Sequence, residues 1–150
     1  MDSDDIALPQ RLELQVAAMR SDPELLALGA NIEYIDQDGR PLLTSRQPLD
    51  TAGIDDYQFR SMMAGMFHPT VVMRAEAFHA VGGYRADLRQ SQDIDLWLRM
   101  SEIGRLGNLP DVLLRYRQHV DSVGFRSTLP QRQTAWRALA EAAERRGRPF

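Results

Sequence analysis

Gly82-Gly83-Tyr84, followed by Gln92-Asp93-Ile94-Asp95-Leu96-Trp97-Leu98-Arg99, is the stretch on which the reading of this chain turns. Ile94, Leu96, Trp97, Leu98, Met100 and Ile103 leave almost no polar face, so the pattern predicts a helix covered on every side. A carboxylate in such a helix needs an end, a partner or a polar cleft. Asp95 stands four residues before Arg99, the favourable order for a helical acid and base, and is read as a structural pair. Asp93 has no such partner. Ser91 is the expected N-cap, which places Asp93 in the first turn, where the helix dipole favours negative charge. Residues two apart point to nearly opposite sides of a helix, so with Asp95 tied to Arg99, Asp93 is free to face a pocket.

Composition narrows the classes. The chain has 150 residues, enough for one domain with a modest core, and 43% hydrophobic with 26% charged residues is ordinary for a globular protein. A net charge of −3 argues against nucleic acid as a partner, because phosphate contacts need a basic surface. All 18 basic residues are arginine. The absence of cysteine removes disulfides, thiolate metal sites and cysteine nucleophiles together, and suits a reducing cytoplasm. No apolar run reaches membrane-spanning length, and the acidic start is the reverse of a signal peptide.

Along the chain the elements alternate without repeats. Pro9 is expected at N1 of a first helix running to about Arg20, with Leu8, Leu12, Val16 and Met19 as its apolar stripe. Asp22-Pro23-Glu24 reads as the restart of a short helix that Gly29 ends. Asn31 to Tyr34 alternates as a strand, Asp38-Gly39 turns the chain, and Pro41 to Thr44 returns. A helix from about Ile54 to Ala64 carries Tyr57, Phe59, Met62 and Met63 as expected core. Val71-Val72-Met73 reads as a short buried strand, followed by a helix from Ala75 that Gly82-Gly83 terminates. Two further strands are predicted, near Arg105 to Asn108 and over Asp111 to His119. A last helix, Pro130 to about Arg146 with Thr128 as cap, stacks Trp136, Leu139, Ala140 and Ala143, and its terminal arginines complement the dipole. Packing on its own domain is the expected use of that helix, with rest on an anionic membrane surface as the alternative.

Asp2-Ser3-Asp4-Asp5 places three carboxylates within four residues. Oxygen ligands crowded in this way suit a hard cation such as magnesium or manganese, although a solvated acidic terminus has the same pattern.

Taken in order, Asp-Ser-Asp-Asp-Ile, Pro-Gln-Arg-Leu, Ile-Asp-Gln-Asp-Gly, His-Pro-Thr-Val-Val-Met-Arg, Gly-Gly-Tyr, Gln-Asp-Ile-Asp-Leu-Trp-Leu-Arg and Leu-Leu-Arg-Tyr-Arg-Gln-His resemble the bacterial family 2 glycosyltransferases from Asp2 to about Ser122. The resemblance implies an α/β fold of the GT-A type, a mixed sheet flanked by helices. It implies one partial domain, with residues 1–126 family-like and 127–150 a C-terminal helix.

Roles implied by the resemblance fall on particular residues. Asp2-Ser3-Asp4 matches the DXD motif that holds Mn2+ or Mg2+ against the diphosphate of a nucleotide-sugar donor, with Asp4 the direct ligand and Asp5 a neighbour in the substrate site. His119 matches a position that approaches the metal from the other side, with Arg117 two residues before it, and imidazole there would bias the choice towards manganese. Asp93 matches the general base. Gln92 replaces the glutamate that precedes the base in the family and removes one negative charge from its side. His68 either lines the cleft or caps a strand. His79 is expected at the surface.

The family's DXD motif closes its nucleotide-binding half, and here only Met1 precedes Asp2. The expectation is therefore an acceptor-side, C-terminal portion that lacks the N-terminal nucleotide-binding half and has little transfer activity alone. Such a portion would expose an apolar face and an open sheet edge, and would form a homo-oligomer through them. The function expected is inverting transfer of a sugar from a nucleotide-diphosphate donor to a glycan or lipid-linked acceptor, in the cytoplasm at the inner face of the bacterial inner membrane, with peripheral membrane contact. The alternative is a non-catalytic remnant serving as an oligomerisation or binding module. A glycosidase using Asp93 and Asp95 ranks lower, because the two side chains point apart.

Overall fold

The computed structural model describes residues 1–88, 90–118 and 129–150. Their elements in chain order are β1 (Ile6–Ala7), α1 (Arg11–Ser21), β2 (Leu25–Ile35), β3 (Pro41–Ser45), α2 (Thr51–Ser61), a 3-10 turn (His68–Thr70), β4 (Val72–Met73), α3 (Ala75–Ala80), α4 (Gln92–Met100), β5 (Arg105–Arg117) and α5 (Leu129–Arg145). The sheet is mixed, in the order β1-β5-β2-β3, with β4 paired to β2. β2 and β5 run parallel along nearly their whole length, while β1, β3 and β4 are antiparallel to their neighbours. A mixed sheet flanked by helices is the architecture expected from the sequence.

β2 corrects the expected short helix after Asp22. Leu25 to Ile32 is a nearly continuous buried run, the signature of a strand covered on both faces. The carbonyls a helix would have used are claimed by Arg74, whose guanidinium donates to the oxygens of Met19, Asp22 and Leu25. Gly29 continues the strand, because Asn108 lies against its backbone. A Cβ built there would fall 2.2 Å from Asn108 Oδ1. The Asn108 amide cannot swing away, since its Nδ2 donates to the carbonyls of Pro48 (2.7 Å) and Gly65 (2.9 Å). Gly29→Ala is therefore expected to overpack the sheet and cost about 1–3 kcal/mol, read as a lower urea midpoint at unchanged m-value.

β5 is one strand where two were expected. Pro110 offers no N–H, and the pairing with β2 shifts between Ala30 and Asn31. The ladder survives because the Asn31 side chain donates to the Pro110 carbonyl at 2.9 Å and bridges the irregularity.

α1 is turned over relative to its expected stripe. It begins at Arg11, and its buried residues are Arg11 and Gln15, while Leu12, Leu14 and Val16 face outward. Directional bonds hold it: Gln15 Nε2 donates to the carbonyls of Leu28 (3.0 Å) and Thr70 (2.8 Å), and Arg11 Nη2 to that of Pro69 (2.7 Å). Ile6, and Leu42 and Leu43 on β3, the last strand of the described sheet, are exposed as well.

α4 is covered on all sides, as predicted. Leu96, Trp97 and Met100 pack with Ala27, Ile54, Met66, Ala77 and Leu106, and Ile94 and Leu98 pack with Leu88 and with Ala135, Ala138, Leu139 and Ala142 of α5. Helix α2 spans Thr51–Ser61, and its buried residues are Ile54 and Gln58, while Met63 is exposed and Tyr57, Phe59 and Met62 are only half-buried. Trp136 is likewise exposed, and rests against Phe150. The arginines after α5 do more than answer its dipole: Arg145 pairs with Glu102, Arg146 with Asp55 and Glu102, and Arg148 with Asp55. Thr128, the expected cap, lies outside the described residues.

Candidate functional site

The parallel pair β2 and β5 ends at Ile35 and Arg117, and the acidic turn lies beside those ends because β1 docks on β5 at Leu114 and Arg115. Asp5 Oδ1 accepts the Arg117 backbone N–H at 3.1 Å, and its Oδ2 accepts the Asp2 N–H at 3.1 Å. The Arg117 guanidinium donates to the carbonyls of Asp4 (3.0 Å), Asp36 (2.8 Å) and Gln37 (2.9 Å). Arg117 is therefore a brace that fixes the turn carrying Asp2 and Asp4. Tyr116 lies beside the turn, and burial together with the charges of Asp5, Asp2 and Asp4 pushes its phenol pKa up. Among the described residues no three His, Asp or Glu side chains converge as a metal-binding group. His119 lies outside the described residues.

Asp93 belongs to a second cluster. It sits in the first turn of α4, half-buried, and its Oδ1 accepts the Ile94 N–H at 3.0 Å. Ser91 does not cap the helix with its hydroxyl. Its backbone is left-handed (φ 57°), and its Oγ donates to the Gln131 carbonyl. Burial pushes the Asp93 carboxyl pKa up, against the smaller opposing effects of the Ile94 N–H and of nearby His68. Gln92 opens the helix immediately before it. His68 is exposed, and its Nε2 shares a 2.7 Å hydrogen bond with the Tyr84 hydroxyl. The Tyr84 phenol pKa is raised by burial and by the Asp93 charge.

The two clusters are joined through residues 67–69. Phe67 packs edge-on against Tyr34, which meets Tyr116 edge-on beside the acidic turn. Arg11, bonded to the Pro69 carbonyl, also reaches Met1 Sδ at 3.6 Å and feels the charge of Asp5.

Asp95 is the structural half of the pair, as its spacing indicated. It is 1% exposed, and Arg99 binds its Oδ2 through Nε (2.9 Å) and Nη2 (2.5 Å). Arg99 also donates to the carbonyls of Val81 (2.5 Å) and Gly83 (2.8 Å), so it secures the loop that carries Tyr84. Gly82 and Gly83 take positive φ there, and a Cβ on Gly83 would meet the Phe78 ring at 3.0 Å. Arg85 approaches Asp95 at 3.4 Å and pairs with Glu141 of α5 and with Asp87.

No protein-family model matches the chain. Curated relatives do. It is 39% identical over 127 residues to the amylovoran biosynthesis glycosyltransferase AmsE of Erwinia amylovora, covering 84% of this chain and 46% of that protein. The putative glycosyltransferase EpsE of Bacillus subtilis is 32% identical over 84% of this chain and 45% of its own length, and the O-antigen biosynthesis glycosyltransferase WbnJ of Escherichia coli is 32% identical over 97% and 56%. The chain is homologous to glycosyltransferases. It spans about half the length of the curated glycosyltransferases it matches.

In this glycosyltransferase homologue, sequence reasoning named Asp93, His68 and the acidic turn, and passed over three neighbours. The Gly-Gly-Tyr motif gives Tyr84 no role by itself, although a tyrosine after paired helix-ending glycines is an exposed ring on a fixed turn. Trp97 was assigned to core, which is right, but it also underlies His68, with ring centroids 6.2 Å apart. Arg85 gives no sign of its part near α4, because beyond Asp87 its partners lie 10 and 56 residues away.

Proposed function

We propose that this chain is the acceptor-side part of an inverting, metal-dependent glycosyltransferase of family 2 and GT-A fold. The donor would be a nucleotide-diphosphate sugar and the acceptor a glycan or lipid-linked glycan. The observation that carries the reading is the Asp93 carboxyl, half-buried with a raised pKa beside exposed polar groups, in a chain homologous to polysaccharide-assembling glycosyltransferases.

In this reading Asp93 takes the proton of the acceptor hydroxyl as that oxygen forms its bond to the anomeric carbon and the donor's bond to the nucleoside diphosphate breaks on the opposite face. A carboxyl with a raised pKa is the stronger base once ionised. Partial burial supports this by keeping competing water away from the reacting hydroxyl.

Asp2 and Asp4 would hold Mn2+ or Mg2+, with His119 as a further ligand, and the cation when bound supplies charge neutralisation to the departing diphosphate. What supports this is the chemistry of the donors: a cation that shares its shell with phosphate oxygens asks the protein for only one or two carboxylates, and Arg117 and Asp5 hold the backbone that carries them. Asp5 and Arg117 therefore serve the site as braces. Titration of the chain with Mn2+ in the presence of a panel of nucleotide sugars tests this. Binding is expected, with at least a ~10-fold loss on Asp4→Ala, as for removal of a metal-site partner. No binding to any donor would favour a remnant without a donor site.

Among the described residues no helix is long and apolar enough to cross a membrane. We place the reaction at the cytoplasmic face of the inner membrane, where lipid-linked glycans are assembled. The outward apolar residues of α1 and β3 support a homo-oligomer, and sedimentation as a monomer at high concentration would count against it.

A further inference from the structure

Beside the candidate base stands a rigid aromatic and imidazole pair whose exposure the fold does not require. Tyr84 is 38% exposed, and its ring is clamped edge-on between Phe78 (5.4 Å) and His68 (5.9 Å). Its hydroxyl is fixed by His68 Nε2. The backbone beneath it is held by Arg99, through the carbonyls of Val81 and Gly83. His68 in turn sits over Trp97, a fully buried ring whose Nε1 makes no hydrogen bond among the described residues. An orphaned indole donor is costly, and Trp97 stands four residues after Asp93 on the same face of α4.

A tyrosine that served only the core would be covered. This one presents an apolar ring with a polar tip, oriented by a second polar ring, next to a carboxyl whose charge both groups feel. That combination matches the chemistry of a sugar ring, whose C–H face packs on an aromatic surface while its hydroxyls bond to fixed polar groups.

Resting on the transferase reading above, we propose that Tyr84 and His68 form the shelf on which the acceptor's terminal sugar ring packs, with one of its hydroxyls presented to Asp93. Tyr84 supplies the surface, and His68 is a positioning residue that acts through the Tyr84 hydroxyl. The acceptor is thereby specified as a sugar-terminated molecule, and a bare polyprenyl phosphate is excluded from the shelf.

The test is an NMR titration of the chain with a panel of methyl glucopyranosides and methyl galactopyranosides, observing the Tyr84 and His68 rings. At least one glycoside is expected to shift both, with the shifts abolished in Tyr84→Ala and retained but weakened in Tyr84→Phe, which preserves the ring and its packing. In Asp93→Asn the shifts are expected to persist, so binding on the shelf is read independently of the base. In transfer assays of this segment joined to a donor-binding half, Tyr84→Ala is expected to raise the acceptor KM at least ~10-fold and leave the donor KM within about 2-fold, a split that general misfolding would not give. Absence of shifts with every glycoside, or equal shifts with micellar polyprenyl phosphate, overturns the shelf. Shifts that persist while no nucleotide sugar supports transfer overturn the transferase reading and leave the shelf standing, and transfer that survives Asp93→Asn overturns Asp93 as the base.

Discussion

Arg99→Ala is expected to destabilise the fold by about 3–5 kcal/mol, a large share of the stability of a domain this size. Asp95 is almost fully buried, and without Arg99 its carboxylate keeps, among the described residues, only the 3.4 Å approach of Arg85. The carbonyls of Val81 and Gly83 lose their donor in the same change. The loss should appear as a lower urea midpoint, together with faster amide exchange through residues 81–84. A companion variant separates charge from shape. Asp95→Leu combined with Arg99→Met replaces the pair by apolar groups and is expected to recover most of the stability, since a buried ion pair barely repays its own desolvation. It should leave the 81–84 loop unanchored all the same. A loss below about 1 kcal/mol in the single variant would show that Arg85 already satisfies Asp95.

With this segment joined to a donor-binding half, Asp93→Asn is expected to lower transfer about 10²- to 10⁴-fold while nucleotide-sugar binding is unchanged, the range for loss of a positioned general base. The same substitution should raise stability at neutral pH. Burial raises the folded-state pKa of this carboxyl above its unfolded value, so the folded state binds its proton more tightly. Stability from this group is then fully present below the ordinary carboxylate range, and is lost as pH rises through the raised pKa. Asparagine carries no charge to desolvate and escapes that loss. The activity runs the other way: kcat/KM should fall as pH drops through the raised pKa, where the base becomes protonated. Urea midpoints of both proteins across that window, set beside the pH–rate profile, check the two signs. A variant no more stable than the parent above the raised pKa would contradict the burial argument.

What was legible in the sequence is what local pattern controls. The all-round apolar run of α4, the Asp95 and Arg99 spacing, the Asp38-Gly39 turn and the paired glycines after α3 all stand as read. Each depends on neighbours within four residues. The errors cluster where a distant group decides. Arg74 takes the carbonyls after α1, which turns an expected helix into the start of β2. Asn31 crosses from β2 to mend the ladder at Pro110, so two short strands become one. α1 presents Gln15 inward because the Leu28 and Thr70 carbonyls wait there, and no periodicity rule would bury a glutamine and expose a leucine. The site divides in the same way. Asp93 and the acidic turn could be named from motifs, but their connection through residues 67–69 is a matter of folding. So is the placing of Tyr84, which depends on Arg99 reaching back 16 residues.

The inward face of α1 has a mechanical meaning. Arg11 grips the chain start at Met1 with one nitrogen and the Pro69 carbonyl with another, and its Nε is steadied by Gln15 at 3.2 Å. A greasy contact can slide, but the guanidinium cannot leave the Pro69 carbonyl without breaking a charge-assisted bond worth about 1.5–3 kcal/mol, whereas the Met1 thioether is a weak acceptor. α1 therefore works as a tie rod. It links the start of the chain, next to the acidic turn, to the segment that holds His68.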